Sequence, residues 1–246
     1  MGITIFFDDG GVLNDNKIRG QQWKKYVGEY YSIRFGGEPE FWGEANYKLI
    51  SILFDVFWQD GKEYFDDYQS FYNNFKRNMV LGMFKEAGRS PPRNINIEEV
   101  FNSARDYVIP KIRSAIPGII DSIKELSARG FILYTAAGAV SSEMKMYLEG
   151  MGVIQHFKEF YGPNLVNTWK SGIDFYKAIF KHSGVSPSKS IIIEDQPRFL
   201  ENAQEVGADV IQACITGQHK PQFPFYVENM SELPLIIERL IESRNF

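Results

Sequence analysis

The stretch "ITIFFDDGGVLND" (Ile3–Asp15) decides the fold, because it joins a run of β-prone residues to a pair of aspartates and a pair of glycines. Isoleucine, threonine and phenylalanine favour a strand, whereas aspartate and glycine favour the turn that ends one. Taken alone, the pair of aspartates could belong to an ordinary turn. The stretch predicts a buried strand that carries the carboxylates of Asp8 and Asp9 to one edge of a sheet.

Four later segments are short and β-rich like the first strand. Amphipathic stretches of helical length separate them, and several of these close on a glycine, as helix ends commonly do. Strands that alternate with helices indicate βαβ crossovers and a parallel sheet covered on both faces. We therefore predict an α/β fold with a doubly wound parallel sheet. The four segments are "FILYT" (131–135), "FKEFYG" (157–162), "SIIIED" (190–195) and "ADVIQA" (208–213).

Residues 16–113 interrupt this alternation, since they contain no convincing strand and many aromatic residues at helical spacing. An aromatic stripe from Phe54 to Phe75 predicts the buried face of a helical pair. The stretch "GRSPPRNIN" (88–96) predicts a loop between helices. We predict an α/β core domain of residues 1–15 and 114–246, with an all-helical domain of residues 16–113 inserted into it.

The composition excludes several functional classes. A net charge of −4 and a pI near 5.5 over 246 residues give no basic surface for nucleic acid or an anionic membrane. No run approaches the ~18 apolar residues of a membrane span. The single cysteine, Cys214, excludes a disulfide framework and fits a reducing compartment. We expect a soluble, cytoplasmic protein with neither a nucleic acid nor a membrane as partner.

Carboxylates, a hydroxyl and small residues stand at the ends of three of the predicted strands. In an open parallel sheet, ligands bind at the carboxyl ends of the strands, so these residues are expected to converge. They are Asp8, Asp9, Gly10 and Gly11 after the first strand, Thr135, Ala136 and Ala137 at the second, and Glu194 and Asp195 at the fourth, together with Lys170 before a helix.

Such a cluster has a definite chemistry. Two carboxylates 4 Å apart repel by about 4 kcal/mol at an effective dielectric constant near 20, so protons, a lysine or a cation must compensate. Mg²⁺ is the hard dication that carboxylate oxygens bind most naturally. A metal, a lysine and backbone amides together form a site for a phosphoryl group, which a carboxylate nucleophile can accept covalently.

In this order, the motifs resemble those of the haloacid dehalogenase (HAD) superfamily of hydrolases. The family's first motif is a strand that ends D-x-D-G-[TV]-[LV], and anchoring it on "GVL" (11–13) places Asp8 at the nucleophile. Thr135 matches the second-motif Ser or Thr that hydrogen-bonds the phosphoryl group, and Lys170 matches the third-motif lysine. The segment "IIIED" (191–195) matches the acidic fourth motif, with Asp195 as a metal ligand and Glu194 assisting.

The resemblance implies a HAD Rossmann-like core and, from the point of insertion, a C1-type helical cap. It also implies a cofactor and a set of contacts. Mg²⁺ is expected on Asp8, Asp195, Glu194 and the Gly10 carbonyl, and the substrate is expected to contact Asp9, Gly11, Ala136 and Ala137.

Two positions depart from the family pattern. The family's phosphatases carry an aspartate two residues after the nucleophile, as general acid for the leaving alcohol, and here that position is Gly10. General acid–base catalysis typically raises a rate 10²–10⁴-fold. A phosphatase without it would be fast only on a substrate with a good leaving group, or if Asp9 acted as the general acid. Phe199 stands where many members carry Asp or Asn, which predicts a thinner metal shell unless Asn202 contributes.

The resemblance implies a Mg²⁺-dependent hydrolase of a small phosphorylated metabolite, acting through an aspartyl-phosphate on Asp8. Two alternatives stay open. One is covalent aspartate chemistry on carbon, as in a metal-independent dehalogenase or a phosphonatase-like enzyme; the family's dehalogenases carry a tyrosine at the position of Gly10. The other is a non-catalytic member that binds a phosphometabolite or a protein partner.

Overall fold

A computed structural model describes residues 2–59 and 65–244, without the side chains of residues 53–59. Its centre is a six-stranded sheet in the order β3-β2-β1-β4-β5-β6, and all neighbouring strands are parallel. The sheet confirms the predicted α/β fold class. The strands are β1 (Thr4–Phe7), β2 (Ile132–Ala136), β3 (Phe157–Tyr161), β4 (Ser190–Glu194), β5 (Asp209–Ala213) and β6 (Tyr226–Val227).

Ten α-helices and four short 3₁₀ helices lie in the described ranges 2–59 and 65–244. The α-helices are α1 (Asn16–Phe35), α2 (Pro39–Gln59), α3 (Tyr68–Glu86), α4 (Ile97–Val108), α5 (Ile119–Ala128), α6 (Ser141–Gly150), α7 (Pro163–Val166), α8 (Ile173–Ser183), α9 (Pro197–Glu205) and α10 (Leu233–Ser243). The 3₁₀ helices are Ile109–Lys111, Ile154–His156, Pro187–Lys189 and Met230–Glu232. No helix of the described chain is long and apolar enough to cross a membrane.

The chain forms two compact units, one of residues 1–16 and 114–246 and one of residues 17–113. We call them the α/β unit and the helical unit. The α/β unit holds the sheet, and its strands β1 to β5 are those expected from the sequence. β6 was not predicted, because two residues carry no readable alternation of apolar and polar positions. The role of the helical unit as a cap stays a prediction.

The core of the α/β unit follows from the strand sequences. β4 is buried along its whole length, as its consecutive isoleucines predict for a strand covered on both faces. On one face, Ile193 packs with Ile5 and Phe7 of β1 in a cluster that the flanking helices complete. Gly184 ends α8 with φ +70°, and its N–H bonds to the Phe180 carbonyl, as the sequence pattern predicts for a helix end.

The helical unit contains no strand in its described residues, in agreement with the sequence. Aromatic rings form its interior: Trp42 lies 5.1 Å from Tyr31 and 5.3 Å from Phe84 between ring centroids. Of the predicted stripe, Tyr68 and Phe71 are buried, while the side chains of residues 54–58 and 64 lie outside the described part. The predicted loop of residues 88–96 falls between α3 and α4, as expected.

Replacing Ile193 by alanine tests the core. The side chain is fully buried in a central strand, so its truncation should lower the free energy of unfolding by about 2–5 kcal/mol. Urea unfolding followed by circular dichroism measures the change. Leu235→Ala in the same unit is the control, because Leu235 is 48% exposed and should lose less than about 1 kcal/mol. Equal losses in the two variants would contradict the assignment.

Candidate active site

Three carboxylates meet at the carboxyl edge of the sheet. Asp8 follows β1, Glu194 ends β4 and Asp195 comes directly after it, and each offers an oxygen within 4.8 Å of the others. β1 and β4 are parallel neighbours, and the Asp8 amide extends their pairing by bonding to the Ile193 carbonyl at 2.9 Å. The ends of the two strands therefore contribute their carboxylates to one buried acidic group. The order in which the chain adds strands to the sheet reverses between β1 and β4, and ligands bind at this switch point in such folds.

Lys170 lies inside this group. It stands between α7 and α8, is buried, and its Nζ donates to Asp8 Oδ1 and to Glu194 Oε2 at 2.5 Å each. The face of the Phe199 ring lies 5.1 Å from the same nitrogen. Phe199 therefore supports the ammonium through a cation–π contact, which is a physical reason for an aromatic residue at this departure from the family pattern.

The three carboxylates outnumber the one ammonium. Burial and then the Glu194 charge raise the pKa of Asp8 to about 8, and burial raises the pKa of Glu194 to about 7 and that of Asp195 to about 6. Burial alone would lower the pKa of Lys170, but Asp8 and Glu194 reverse this and raise it, so the amine stays charged. The site therefore favours a further positive charge, which a proton or a metal cation supplies.

The donor atoms fit a hard cation. Asp195 Oδ1 is buried and has no hydrogen-bond partner, so this oxygen can bind a cation without giving up a protein contact. Glu194 is more fully engaged, since Oε1 accepts from the amides of Asp195 and Gln196 at 3.1 and 3.2 Å while Oε2 accepts from Lys170. Asp195 is thus the stronger candidate ligand, and Glu194 chiefly orients Lys170 and the start of α9.

The two glycines after Asp8 make a close approach possible. Gly11 has φ +78°, and a Cβ atom built there would lie 2.4 Å from Asp195 Oδ2. Only glycine fits this position, because it tolerates the left-handed backbone and leaves room for the carboxylate. The Gly11 N–H donates to the Asn14 carbonyl at 2.8 Å. The N–H of Gly11, which was predicted to contact the substrate, is thus hydrogen-bonded within the turn.

Asp9 lies in a buried polar network. Its Oδ1 accepts from Asn14 Nδ2 at 2.7 Å, and Asn14 Oδ1 accepts from the Ser114 hydroxyl at 2.7 Å. The network ties the turn after β1 to the segment where the chain re-enters the α/β unit. Asn14 and Ser114 were not singled out in the sequence, because nothing local shows that residues 100 positions apart meet. The predicted substrate contact of Asp9 gains no support from this placement.

Thr135 lies at the carboxyl end of β2. It is in register with Phe7, the last residue of β1. Its hydroxyl donates to the Tyr161 carbonyl at 3.1 Å. The hydroxyl is therefore hydrogen-bonded within the sheet, and its predicted contact with a phosphoryl group stays a prediction.

The backbone of Ala137 is also engaged within the fold, since its N–H donates to the Tyr161 carbonyl at 3.0 Å.

A residue that the sequence analysis missed is Tyr176 on α8. Its hydroxyl is buried without a hydrogen-bond partner. Burial, which outweighs the lowering by the Lys170 charge, raises the pKa of Tyr176 well above its usual range. Its position six residues after Lys170, within an amphipathic helix, gave no signal that separated it from an ordinary core tyrosine.

Fold and site together define a doubly wound α/β protein with an acidic, lysine-bridged centre at the topological switch point. The chain belongs to the haloacid dehalogenase-like hydrolases: the family model of that description matches residues 44–213. That match begins after Asp8, so the acidic centre at β1 rests on the geometry above. No curated protein matches the chain in a sequence search.

Solved structures share the fold across nearly the whole chain. The magnesium-bound YfnB of Bacillus subtilis has a TM-score of 0.70 at 15% identity, covering 97% of this chain and 100% of that one. L-2-haloacid dehalogenase of Xanthobacter autotrophicus, with chloropropionic acid covalently bound, has 0.63 at 14% identity and covers 97% and 99%. A HAD phosphatase of Thermococcus onnurineus has 0.62 at 16%, covering 96% and 98%. These similarities establish the fold.

Removing the Lys170 ammonium tests the charge balance. Lys170→Met leaves buried carboxylates unpaired, so the metal-free protein should lose about 3–5 kcal/mol of unfolding free energy. Lys24→Met is the control, because its ion pair with Glu44 is largely exposed and should change stability by less than about 1 kcal/mol. Urea unfolding in EDTA measures both.

The double variant Lys170→Met/Glu194→Gln keeps this test informative if the single variant does not fold. Neutralising Glu194 removes one of the carboxylates left unpaired, so part of the lost stability should return. A double variant that is less stable than Lys170→Met would contradict the proposed charge balance.

Proposed function

We propose that this chain is a Mg²⁺-dependent hydrolase of a small phosphorylated compound, with Asp8 as the nucleophile. The observation that carries the proposal is the placement of Asp8: a carboxylate at the carboxyl end of a central parallel strand, bonded to Lys170 and grouped with Glu194 and Asp195. The proposed partner is a small molecule in the cytoplasm, and neither a nucleic acid nor a membrane belongs to this function.

The nucleophile is held by its surroundings. Lys170 donates to Oδ1 of Asp8, so we assign the attack on phosphorus to Oδ2. The Lys170 ammonium lowers the pKa of Asp8 and so opposes the burial that favours protonation. A bound cation would act in the same direction and favour the ionised carboxylate that attacks phosphorus. The product of the first step is an aspartyl-phosphate, which water then hydrolyses to return Asp8.

The metal would be held by Asp195 and Asp8, with Glu194 and the Gly10 carbonyl as further candidate ligands. The unpartnered Oδ1 of Asp195 and the excess of carboxylates over cations support this assignment. When bound, Mg²⁺ would neutralise charge on the phosphoryl oxygens during transfer. Lys170 is well placed to share that task, since its ammonium already donates to Asp8.

Covalent chemistry on carbon is the second candidate. The hydrogen bond of the Thr135 hydroxyl to the Tyr161 carbonyl favours it, because an alkyl halide needs no hydroxyl to hold phosphoryl oxygens. The dehalogenase neighbour carries chloropropionic acid covalently bound. The acidic pair at the end of β4 opposes it, since a metal-independent attack gains nothing from two further buried carboxylates. Metal dependence separates the two candidates.

Activity assays decide between them. With Mg²⁺, the wild type should hydrolyse p-nitrophenyl phosphate, and Asp8→Asn should reduce the rate to background because it removes the nucleophile. EDTA should stop the reaction. Asp106→Asn is the control for an exposed acid in the helical unit and should leave the rate unchanged. Release of halide from 2-chloropropionate in EDTA, with no phosphate release, would instead support the second candidate.

Metal binding has its own readout. Mg²⁺ should raise the Tm of the wild type, because it binds the folded cluster and not the unfolded chain. Asp195→Asn should abolish most of this rise while leaving the Tm in EDTA equal or higher, since it removes one repelling charge. Differential scanning calorimetry with and without Mg²⁺ measures both values. An unchanged Mg²⁺ response in Asp195→Asn would overturn the ligand assignment.

A further inference from the structure

The space beside Gly10 is filled by another residue. A Cβ atom built on Gly10 would lie 2.6 Å from Asn16 Nδ2, 2.7 Å from Asn16 Oδ1 and 3.0 Å from its Cγ. All three atoms belong to one carboxamide, at the first residue of α1. The Asn16 side chain therefore occupies the place that a side chain at residue 10 would take.

The turn separates an exposed residue from the buried carboxylates. Asn16 is exposed, whereas Asp8 and Asp195 are buried. The glycine pair lies between two polar side chains, because a Cβ on Gly10 would meet Asn16 and one on Gly11 would meet Asp195. Asn16 thus presents a polar group at the solvent side of the turn that carries the nucleophile.

We propose that Asn16 replaces the missing side chain of residue 10 and restricts the site to phosphoryl compounds whose leaving group departs as a stable anion, of which acyl phosphates are the class. This inference rests on the proposed phosphoryl transfer to Asp8. A carboxamide donates hydrogen bonds through Nδ2, but it has no proton to give up at neutral pH. Asn16 would hydrogen-bond the leaving oxygen without protonating it.

The leaving group decides the rate under this constraint. A carboxylate has a conjugate acid of pKa about 4, so it leaves readily as an anion. An alkoxide resembles hydroxide, whose conjugate acid has a pKa near 15.7 in bulk water, and its departure needs a proton. Without an acid, the site forgoes roughly 10²–10⁴-fold on alkyl phosphates and little on acyl phosphates.

Both steps balance without an added proton donor. Asp8 Oδ2 forms a bond to phosphorus, the bond between phosphorus and the leaving oxygen breaks, and the carboxylate leaves with the electron pair. Water then forms a bond to phosphorus and the bond from Asp8 breaks, so Asp8 leaves as a carboxylate too. The released dihydrogen phosphate loses a proton to solvent.

Initial rates on substrates of graded leaving-group pKa test the proposal. The substrates are acetyl phosphate, a series of substituted phenyl phosphates and an alkyl phosphate, all with Mg²⁺. The wild type should turn over acetyl phosphate at least about 100-fold faster than the alkyl phosphate. Asn16→Ala should lower kcat about tenfold and steepen the dependence on leaving-group pKa, because the lost hydrogen bond matters most for the poorest leaving groups.

Two further variants sharpen the result. Lys17→Ala is the matched control at the neighbouring exposed position and should keep the wild-type slope. Gly10→Asp/Asn16→Ala clears the carboxamide and supplies a carboxyl group, and it should narrow the gap between acetyl and alkyl phosphate by tenfold or more. The Mg²⁺-induced rise in Tm should be unchanged in Asn16→Ala, which shows that fold and metal site are intact.

The outcomes are distinguishable. If Asn16→Ala has the same slope and kcat as Lys17→Ala while Asp8→Asn is inactive, the role of Asn16 is overturned and the proposed function stands. If the wild type turns over none of these phosphates, or Asp8→Asn retains full activity, the proposed function falls and the role of Asn16 with it. A flat slope in the wild type would overturn the leaving-group restriction alone.

Discussion

The ammonium of Lys170 between Asp8 and Glu194 is the interaction on which the rest of the site depends. Parallel pairing of β1 with β4 forces the two carboxylates together, and burial strengthens their repulsion. Lys170, supported by the Phe199 ring, neutralises part of it at 2.5 Å from each. What it leaves uncompensated, chiefly the unpartnered oxygen of Asp195, defines the position for a cation.

The turn from Asp8 to Asn16 explains the unusual pair of glycines and the second aspartate. Gly11 lets the backbone pass against the Asp195 carboxylate, where any side chain would collide. Asp9 serves the turn through its hydrogen bond to Asn14. The proposed nucleophile is thus held by a compact, internally bonded loop, and precise positioning of this kind is a large part of what an active site contributes to catalysis.

Under the proposed function, the site differs from that of the family's phosphatases at Gly10. Gly10 has no side chain, whereas those enzymes carry a carboxylic acid at this position. The group formed by Asp8, Lys170 and Asp195 does not depend on that side chain. A proposed nucleophile without a neighbouring proton donor would suit substrates whose leaving group needs no proton.

The sequence by itself determined the α/β fold, five of the six strands and the convergence of Asp8, Lys170, Glu194 and Asp195, because strand alternation and strand-end residues are local and parallel strands share one edge. The tertiary structure decided which way each side chain points. Thr135 and Ala136 are adjacent in the chain, yet the pleat and the register with β1 send them to opposite faces. The contacts of Asn16 with Gly10, Ser114 with Asn14 and Lys170 with Phe199 arise from close packing in three dimensions, which no local pattern encodes.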